Sequence, residues 1–241
     1  MRGVLLAGGT GSRLLPLTKV TNKHLLPVYK KPMIYYPLET LIKAGIKEIL
    51  IVTGGEHIGD FFQLLGSGKE WGAHFSYEIQ EGNGGTGAAL LLAEDFVRDE
   101  EFMVILGDNV VCEDVSCFLE DFKKEKEKFK AKILIAKVSD PQNYGVVTFK
   151  GKKIVSIVEK PKNPHSHYVN TGLWMFLPEV FEQLKHLKKS PRGEYEITDV
   201  LAQYVKQGLL SYSILQSAWT DAGSFESLYN ATVLMKKLDH A

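Results

Sequence analysis

The chain has 241 residues, 44% of them hydrophobic and 24% charged, enough apolar material for one large core or two small ones. Lysine plus arginine and aspartate plus glutamate number 29 each, so the long-range field is weak and the balance argues against a nucleic-acid partner. The opening Met-Arg and its short apolar run are too brief for a signal peptide, and no apolar run reaches a membrane span. A cytoplasmic protein with no membrane partner is expected.

The first predicted strand, residues 3–7, runs into Leu6-Ala7-Gly8-Gly9-Thr10-Gly11-Ser12-Arg13-Leu14, with Pro16 and Lys23 beyond. Three glycines in four positions let successive backbone N–H groups line an anion, and Arg13 and Lys23 add full charges, as a nucleotide's phosphates require. Neither common fingerprint fits. The dinucleotide pattern begun at Gly9 needs glycine where Leu14 stands, and a P-loop begun at Gly3 needs lysine where Gly9 stands. On its own the run could equally be a tight strand-to-helix turn.

Leu38, Leu41 and Ile42 lie at helical spacing and Gly45 ends that helix, which is expected to cover the first strand. Further strands are predicted at 48–53, 75–80, 102–107 and 131–138. With intervening helices they read as β-α units of an α/β fold on a mostly parallel sheet. The strand at 102–107 ends in Asp108, either a turn former or a metal ligand in need of a partner. Cys112 and Cys117 match no zinc spacing and are expected to be buried free thiols. Residues 121–132, where Glu125 and Glu127 interleave with lysines, read as a solvated helix face.

The second half changes character. Residues 145–149 and 154–158 form a predicted hairpin through Lys150-Gly151-Lys152, ending at Glu159-Lys160-Pro161, where a surface ion pair is the commoner reading. Strands follow at 168–176 and 209–217, and helices near 195–207 and 224–238. Asn170 and Thr171 in the first of these strands face a cavity or pair internally. Asp221, in Trp219-Thr220-Asp221-Ala222-Gly223, is the natural partner of Asp108 because it too follows a strand and precedes a helix. Two carboxylates plus phosphate oxygens suit magnesium. No linker or repeat separates the halves, so one domain over 1–241 is expected, with the second half extending the same sheet.

Together these segments resemble the sugar-phosphate nucleotidylyltransferases, and among them the short thymidylyltransferase branch. The likeness is carried by the glycine run at 6–14, Lys-His-Leu-Leu-Pro at 23–27, Leu-Gly-Asp-Asn at 106–109, Tyr-Gly-Val-Val at 144–147 and Glu-Lys-Pro at 159–161. Arg-Gly-Glu-Tyr-Glu-Ile-Thr-Asp at 192–199 and Trp-Thr-Asp-Ala-Gly at 219–223 complete it, in order and at family-like spacing.

The resemblance implies a Rossmann-like three-layer nucleotidyltransferase fold of the GT-A type, with a mixed, mostly parallel sheet. Roughly 1–140 would bind nucleotide and 141–241 sugar phosphate. It implies dTTP and glucose 1-phosphate as substrates and Mg2+ as cofactor, with UTP or another nucleoside triphosphate, or a non-catalytic sugar-nucleotide-binding subunit, as alternatives. Homo-oligomers are common in such families. By the same resemblance Leu6, Gly8, Gly9, Gly11, His24, Gln80, Gly85 and Asp108 bind nucleotide, while Arg13, Lys23 and Lys160 are catalytic. Gly145, Glu159, Lys160, Asn170, Trp174 and Arg192 bind the sugar phosphate, and Asp108 and Asp221 hold the metal. No protein nucleophile is needed, because the sugar phosphate is already an anion. The chain departs from the thymidylyltransferases at His24, where they often carry glutamine, and at residues 84–89. There Gly-Gly-Thr-Gly-Ala-Ala replaces Asp-Gly-x-Ala-Gln-Ala. Asn170 also stands where they carry valine. Thymine and uracil differ by one methyl, worth only about 1–3 kcal/mol of discrimination in an apolar pocket.

Overall fold

A computed structural model of the chain describes residues 1–240. Its first half is wound from parallel units: β1 (Arg2–Ala7), a small ribbon of β2 (Pro27–Val28) and β3 (Lys31–Pro32), α1 (Tyr35–Lys43) and β4 (Glu48–Gly54). Next come α2 (Ile58–Leu65), β5 (His74–Gln80), α3 (Gly85–Leu91), the single turn α4 (Glu94–Val97) and β6 (Phe102–Leu106). β1 pairs in parallel with β4 and β6, and β4 with β5. Residues 3–7 are all buried, as a central parallel strand covered on both faces must be. Gly45, at φ 82°, ends the turn after α1, and Leu38 and Leu41 pack with Leu5 of β1 as expected.

The second half comprises β7 (Asn109–Val111), α5 (Ser116–Glu125), β8 (Ala131–Lys137), β9 (Gly145–Lys150), β10 (Lys153–Glu159) and β11 (Tyr168–Phe176). It closes with α6 (Val180–Lys185), α7 (Ile197–Gln207), β12 (Leu210–Ile214), β13 (Trp219–Asp221) and α8 (Phe225–Asp239). β11 joins the halves by running antiparallel to β6, so strands of both belong to one nine-stranded mixed sheet. Helices α3, α6 and α7 bury their apolar faces on one side of this sheet and α1, α2 and α5 on the other, giving three layers.

β11 changes neighbours midway. Asn170 lies opposite Ile135 and Trp174 opposite Ile133, so two extra residues bulge out of β11 against β8. Gly172 takes φ 85° there, and a Cβ on it would stand 2.5 Å from Leu106 Cδ1. Before the bulge β11 pairs with β9, and after it with β6. The opening thus made beyond the end of β6 is where the site lies.

Three expectations require correction. Residues 121–132 are not one solvated helix: α5 stops at Glu125, and Lys132 is a β8 residue, 2% exposed, with its Nζ 3.0 Å from Glu125. Charge alternation hid the start of an interior strand. Nor are the cysteines buried, since Cys112 is half-buried and Cys117 exposed, although both are free thiols. The predicted strand at 209–217 is also shorter, as β12 ends at Ile214.

Candidate active site

The glycine run leaves β1 at its carboxyl end, where ligands collect in open α/β sheets. Gly11 takes φ 66°, and a Cβ there would lie 2.7 Å from Thr18 Cγ2, whose hydroxyl donates to the Gly11 carbonyl at 2.9 Å. A side chain on Gly8 would collide with the Gln80 carboxamide. Arg13 follows in a short turn anchored by fully buried Leu14. Lys23 begins another, in which Asn22 Oδ1 accepts from the His24 backbone N–H at 3.0 Å and from its ring Nδ1–H at 2.7 Å. His24 is buried against Gly107. Burial first, and the adjacent Lys23 charge second, depress its pKa to about 3, so the ring is neutral.

Lys23 Nζ donates to Asp108 Oδ2 at 2.5 Å. Burial alone would raise the Asp108 pKa, but the Lys23 charge and hydrogen bond, with lesser help from His24 and Arg13, bring it down to about 2. The ribbon of β7 and β13 sets Asp221 opposite Asn109, beside Asp108, and the Ala222 N–H donates to the Asp108 carbonyl at 2.9 Å. One Asp221 oxygen accepts from the Tyr144 hydroxyl at 2.8 Å and the other from the Gly223 N–H at 3.2 Å. Burial and the nearby Asp108 charge push the Asp221 pKa up.

A Cβ on Gly223 would lie 2.9 Å from Arg13 Nη2, 3.0 Å from Asp221 Oδ2 and 3.1 Å from Asp108 Oδ2. The glycine therefore floors a small cradle walled by two carboxylate oxygens and a guanidinium. An oxygen-only donor pair of this kind fits Mg2+, which takes its remaining ligands from phosphate and water. Among the described residues there is no group of three or more His, Cys, Asp or Glu side chains that could hold a metal ion.

Two cavities flank the carboxylates. One, of about 490 Å³, is bordered by Leu6, Gly8, Gly9, Lys23, His24, Gln80 and Gly85. The other, of about 160 Å³, is bordered by Gly145, Glu159, Lys160, Asn170, Trp174 and Arg192. Arg13 and Asp108 border both, and Asp221 the smaller. Of the residues expected from the sequence, only Gly11 stands outside these walls, shaping the loop instead. In the smaller cavity Trp174 Nε1–H donates to Asn170 Oδ1 at 2.7 Å, so Asn170 both pairs internally and borders the cavity. Thr198 donates to Glu159 at 2.6 Å, and Arg192 lies 3.1 Å from Glu196 and 3.7 Å from Glu159. Burial first, then the Glu159 charge, raises the Glu196 pKa. Lys160, at φ 42°, is set by its N–H donating to the Tyr144 carbonyl at 3.0 Å.

Sequence reasoning missed Tyr144, Thr198, Glu196 and Thr86 as site residues. All four lie in segments quoted above, but the partners of Tyr144, Thr198 and Thr86 are distant in sequence.

A glycine-lined cleft and an adjoining polar pocket that meet at Arg13 and Asp108 have the layout of an enzyme that brings a nucleotide to a second phosphorylated ligand. Residues 2–237 match the nucleotidyl transferase family, and the chain belongs to it. It is 39% identical over its whole length to a glucose-1-phosphate thymidylyltransferase of Neisseria meningitidis, covering 84% of that protein. It is 41% identical to one of Mycolicibacterium smegmatis, over 99% of this chain and 83% of that one. A Bacillus anthracis chain provisionally assigned the same activity, solved with sucrose, superposes with a TM-score of 0.92 at 48% identity, over 97% of this chain and 94% of its own. A UDP-glucose pyrophosphorylase solved with UDP-glucose superposes with a TM-score of 0.84 at 27% identity, over 98% of each chain.

Proposed function

We propose that the protein transfers the thymidylyl group of dTTP to α-D-glucose 1-phosphate, giving dTDP-glucose and pyrophosphate, with Mg2+ at Asp108 and Asp221, as a cytoplasmic enzyme. The observation that carries this reading is the meeting of the two cavities at Arg13 and Asp108, beside Asp221. Curated relatives at 39–41% identity over nearly the whole chain supply the substrate pair.

In this reading the base lies against Gln80 and Gly85, and the triphosphate follows the backbone of Gly8, Gly9 and Gly11 toward Arg13 and Lys23. The sugar hydroxyls meet Glu159, Asn170 and the Gly145 backbone, while Lys160 and Arg192 hold the sugar phosphate. A phosphate oxygen of the sugar phosphate attacks the α-phosphorus. One P–O bond forms and the bond to the leaving pyrophosphate breaks. Two polyanions must approach for in-line transfer, and Arg13, Lys23 and Lys160 neutralise their repulsion and the charge that gathers on pyrophosphate. Magnesium, when bound, supplies Lewis-acid neutralisation of the phosphate oxygens. Lys23 is pre-aimed by Asp108, and Asp221 by Tyr144 and Gly223, so little reorganisation remains at the moment of transfer. The presence of all these groups together argues against a non-catalytic subunit.

UTP is the second reading, since His24 and residues 84–89 depart from the thymidylyltransferase pattern, Asn170-Thr171-Gly172 resembles uridylyl- and guanylyltransferases, and the UDP-glucose pyrophosphorylase superposes closely. Pyrophosphate release from glucose 1-phosphate decides between them, with kcat/KM compared for dTTP, UTP, CTP, GTP and ATP and a chelator control. Preference for dTTP is the expected result. Preference for another nucleotide contradicts the thymidylyl assignment, and silence with all five contradicts glucose 1-phosphate as acceptor.

A further inference from the structure

The turn at 84–87, which borders the larger cavity, is bound directly to the 194–198 segment, which borders the smaller. Tyr195 N–H donates to the Gly84 carbonyl at 2.9 Å, and Gly87 N–H donates to the Tyr195 carbonyl at 2.8 Å. The contact is close enough to require glycine. A Cβ on Gly85, already at φ 81°, would lie 2.8 Å from Glu194 Cβ, and one on Gly87 would lie 2.8 Å from the Tyr195 carbonyl.

Thr86 adds a third tie. The first amides of a helix lack partners within it, and Glu196, preceding α7, offers no side-chain cap. The Thr86 hydroxyl accepts from the Ile197 N–H, the first of α7, at 3.4 Å, so the turn caps a helix of the other half. One residue on, Thr198 holds Glu159, while Glu196 holds Arg192. On the opposite flank Gln80 Nε2 donates to the Gly85 carbonyl at 3.1 Å. Three hydrogen bonds, joined by the peptide links from Gly85 to Thr86 and from Ile197 to Thr198, thus connect the base-side carboxamide to the sugar-side carboxylate, and Thr86 and Glu194 border both cavities.

We infer that the 84–87 turn and the 194–198 segment act as one clasp, through which filling of the base cavity positions Glu159 and Arg192 for the sugar phosphate. This inference rests on the substrate reading above and adds to it a route by which one substrate prepares the site of the other. A ligand that holds one side of the clasp spares the second ligand the ordering of its own side, so each strengthens the other, by linkage equally in both directions.

Thymidine isolates this route, because it fills the base cavity without bringing phosphate charge or metal beside the sugar phosphate. Calorimetric titration of glucose 1-phosphate is run with and without saturating thymidine. The wild-type protein should bind the sugar phosphate about 5-fold or more tightly with thymidine present. Thr86→Val should bring that factor close to 1, and Thr86→Ser, which keeps the acceptor, should retain it. Gly87→Ala, which pushes the two backbones apart, should also lower it.

Intact binding of both ligands with a wild-type factor of 1 overturns the clasp and leaves the substrate reading standing. So does a factor that Thr86→Val leaves unchanged. Failure of the wild-type protein to bind either ligand overturns the substrate reading and the clasp with it.

Discussion

The two cavities are built by different means. The larger is built around one loop: Gly8, Gly9, Lys23 and His24 come from a single stretch after β1, and Asp108 and Gln80 from the carboxyl ends of β6 and β5, on either side of β1. The smaller takes Gly145, Glu159, Asn170 and Thr198 from four separate elements, and its side chains are set by bonds across long stretches of chain. Thr198 to Glu159 spans 39 residues and Tyr144 to Asp221 spans 77. A cavity made of a local loop is altered where it is touched, whereas one made by tertiary register is altered by whatever shifts its strands.

The sharpest break removes the carboxylate beside the point where the cavities meet. Asp221→Asn should lower turnover by roughly 1,000-fold or more, since magnesium supplies several kcal/mol of charge stabilisation, while the melting temperature stays near that of wild type. Pyrophosphate release checks this, and turnover within about 10-fold of wild type would remove Asp221 from the reaction. Next in size is Gly172→Ala. It places a Cβ 2.5 Å from Leu106 at φ 85°, and strain plus overpacking should destabilise the fold by about 2–4 kcal/mol in urea unfolding. If sugar-side geometry depends on strand register, the KM for sugar phosphate should also rise more than that for nucleotide.

Tyr144→Phe sharpens the contrast more gently. It takes away one of the two hydrogen bonds that orient Asp221, and loss of such a supporting contact costs about 10–100-fold in metal affinity. A titration of activity against Mg2+ and direct calorimetry of Mg2+ with nucleotide should both shift by that factor. On the larger cavity, His24 gives the smallest effect near neutral pH, and it grows as the pH falls. Its ring titrates near 6.5 unfolded but at about 3 folded, so below pH 6.5 the unfolded chain takes up a proton that the folded chain refuses. The stabilisation is complete above pH 6.5 and is lost as pH falls toward 3, at up to about 1.4 kcal/mol per pH unit. His24→Gln should flatten that limb of the stability profile relative to wild type, and an unchanged slope would mean that the ring is charged in the fold.

The contrast also explains what could be read from the sequence. The glycine run and Asp108 were legible because each follows an apolar strand directly, and Asp221 because it stands between a strand and a helix; strand ends in α/β sheets are where ligands sit. The parallel first half was legible because its interior strands β1, β4 and β6 are nearly continuous apolar runs. Three features were not. The bulge at Thr171 and Gly172 depends on which strands flank β11, and nothing local marks that change of neighbour. Lys132 lies in a buried strand because Glu125 reaches it from α5, a pairing that charge alternation disguises as a solvated helix. Thr86 caps α7 from 111 residues away, so a search for a local cap could not find it.

The most direct test of the account is a crystal structure with Mg2+, glucose 1-phosphate and a non-hydrolysable thymidine triphosphate. The base should lie against Gln80 and Gly85, the sugar between Gly145, Glu159 and Asn170, and metal density between Asp108 and Asp221. Both ligands in one cavity, or metal away from the two carboxylates, would contradict it.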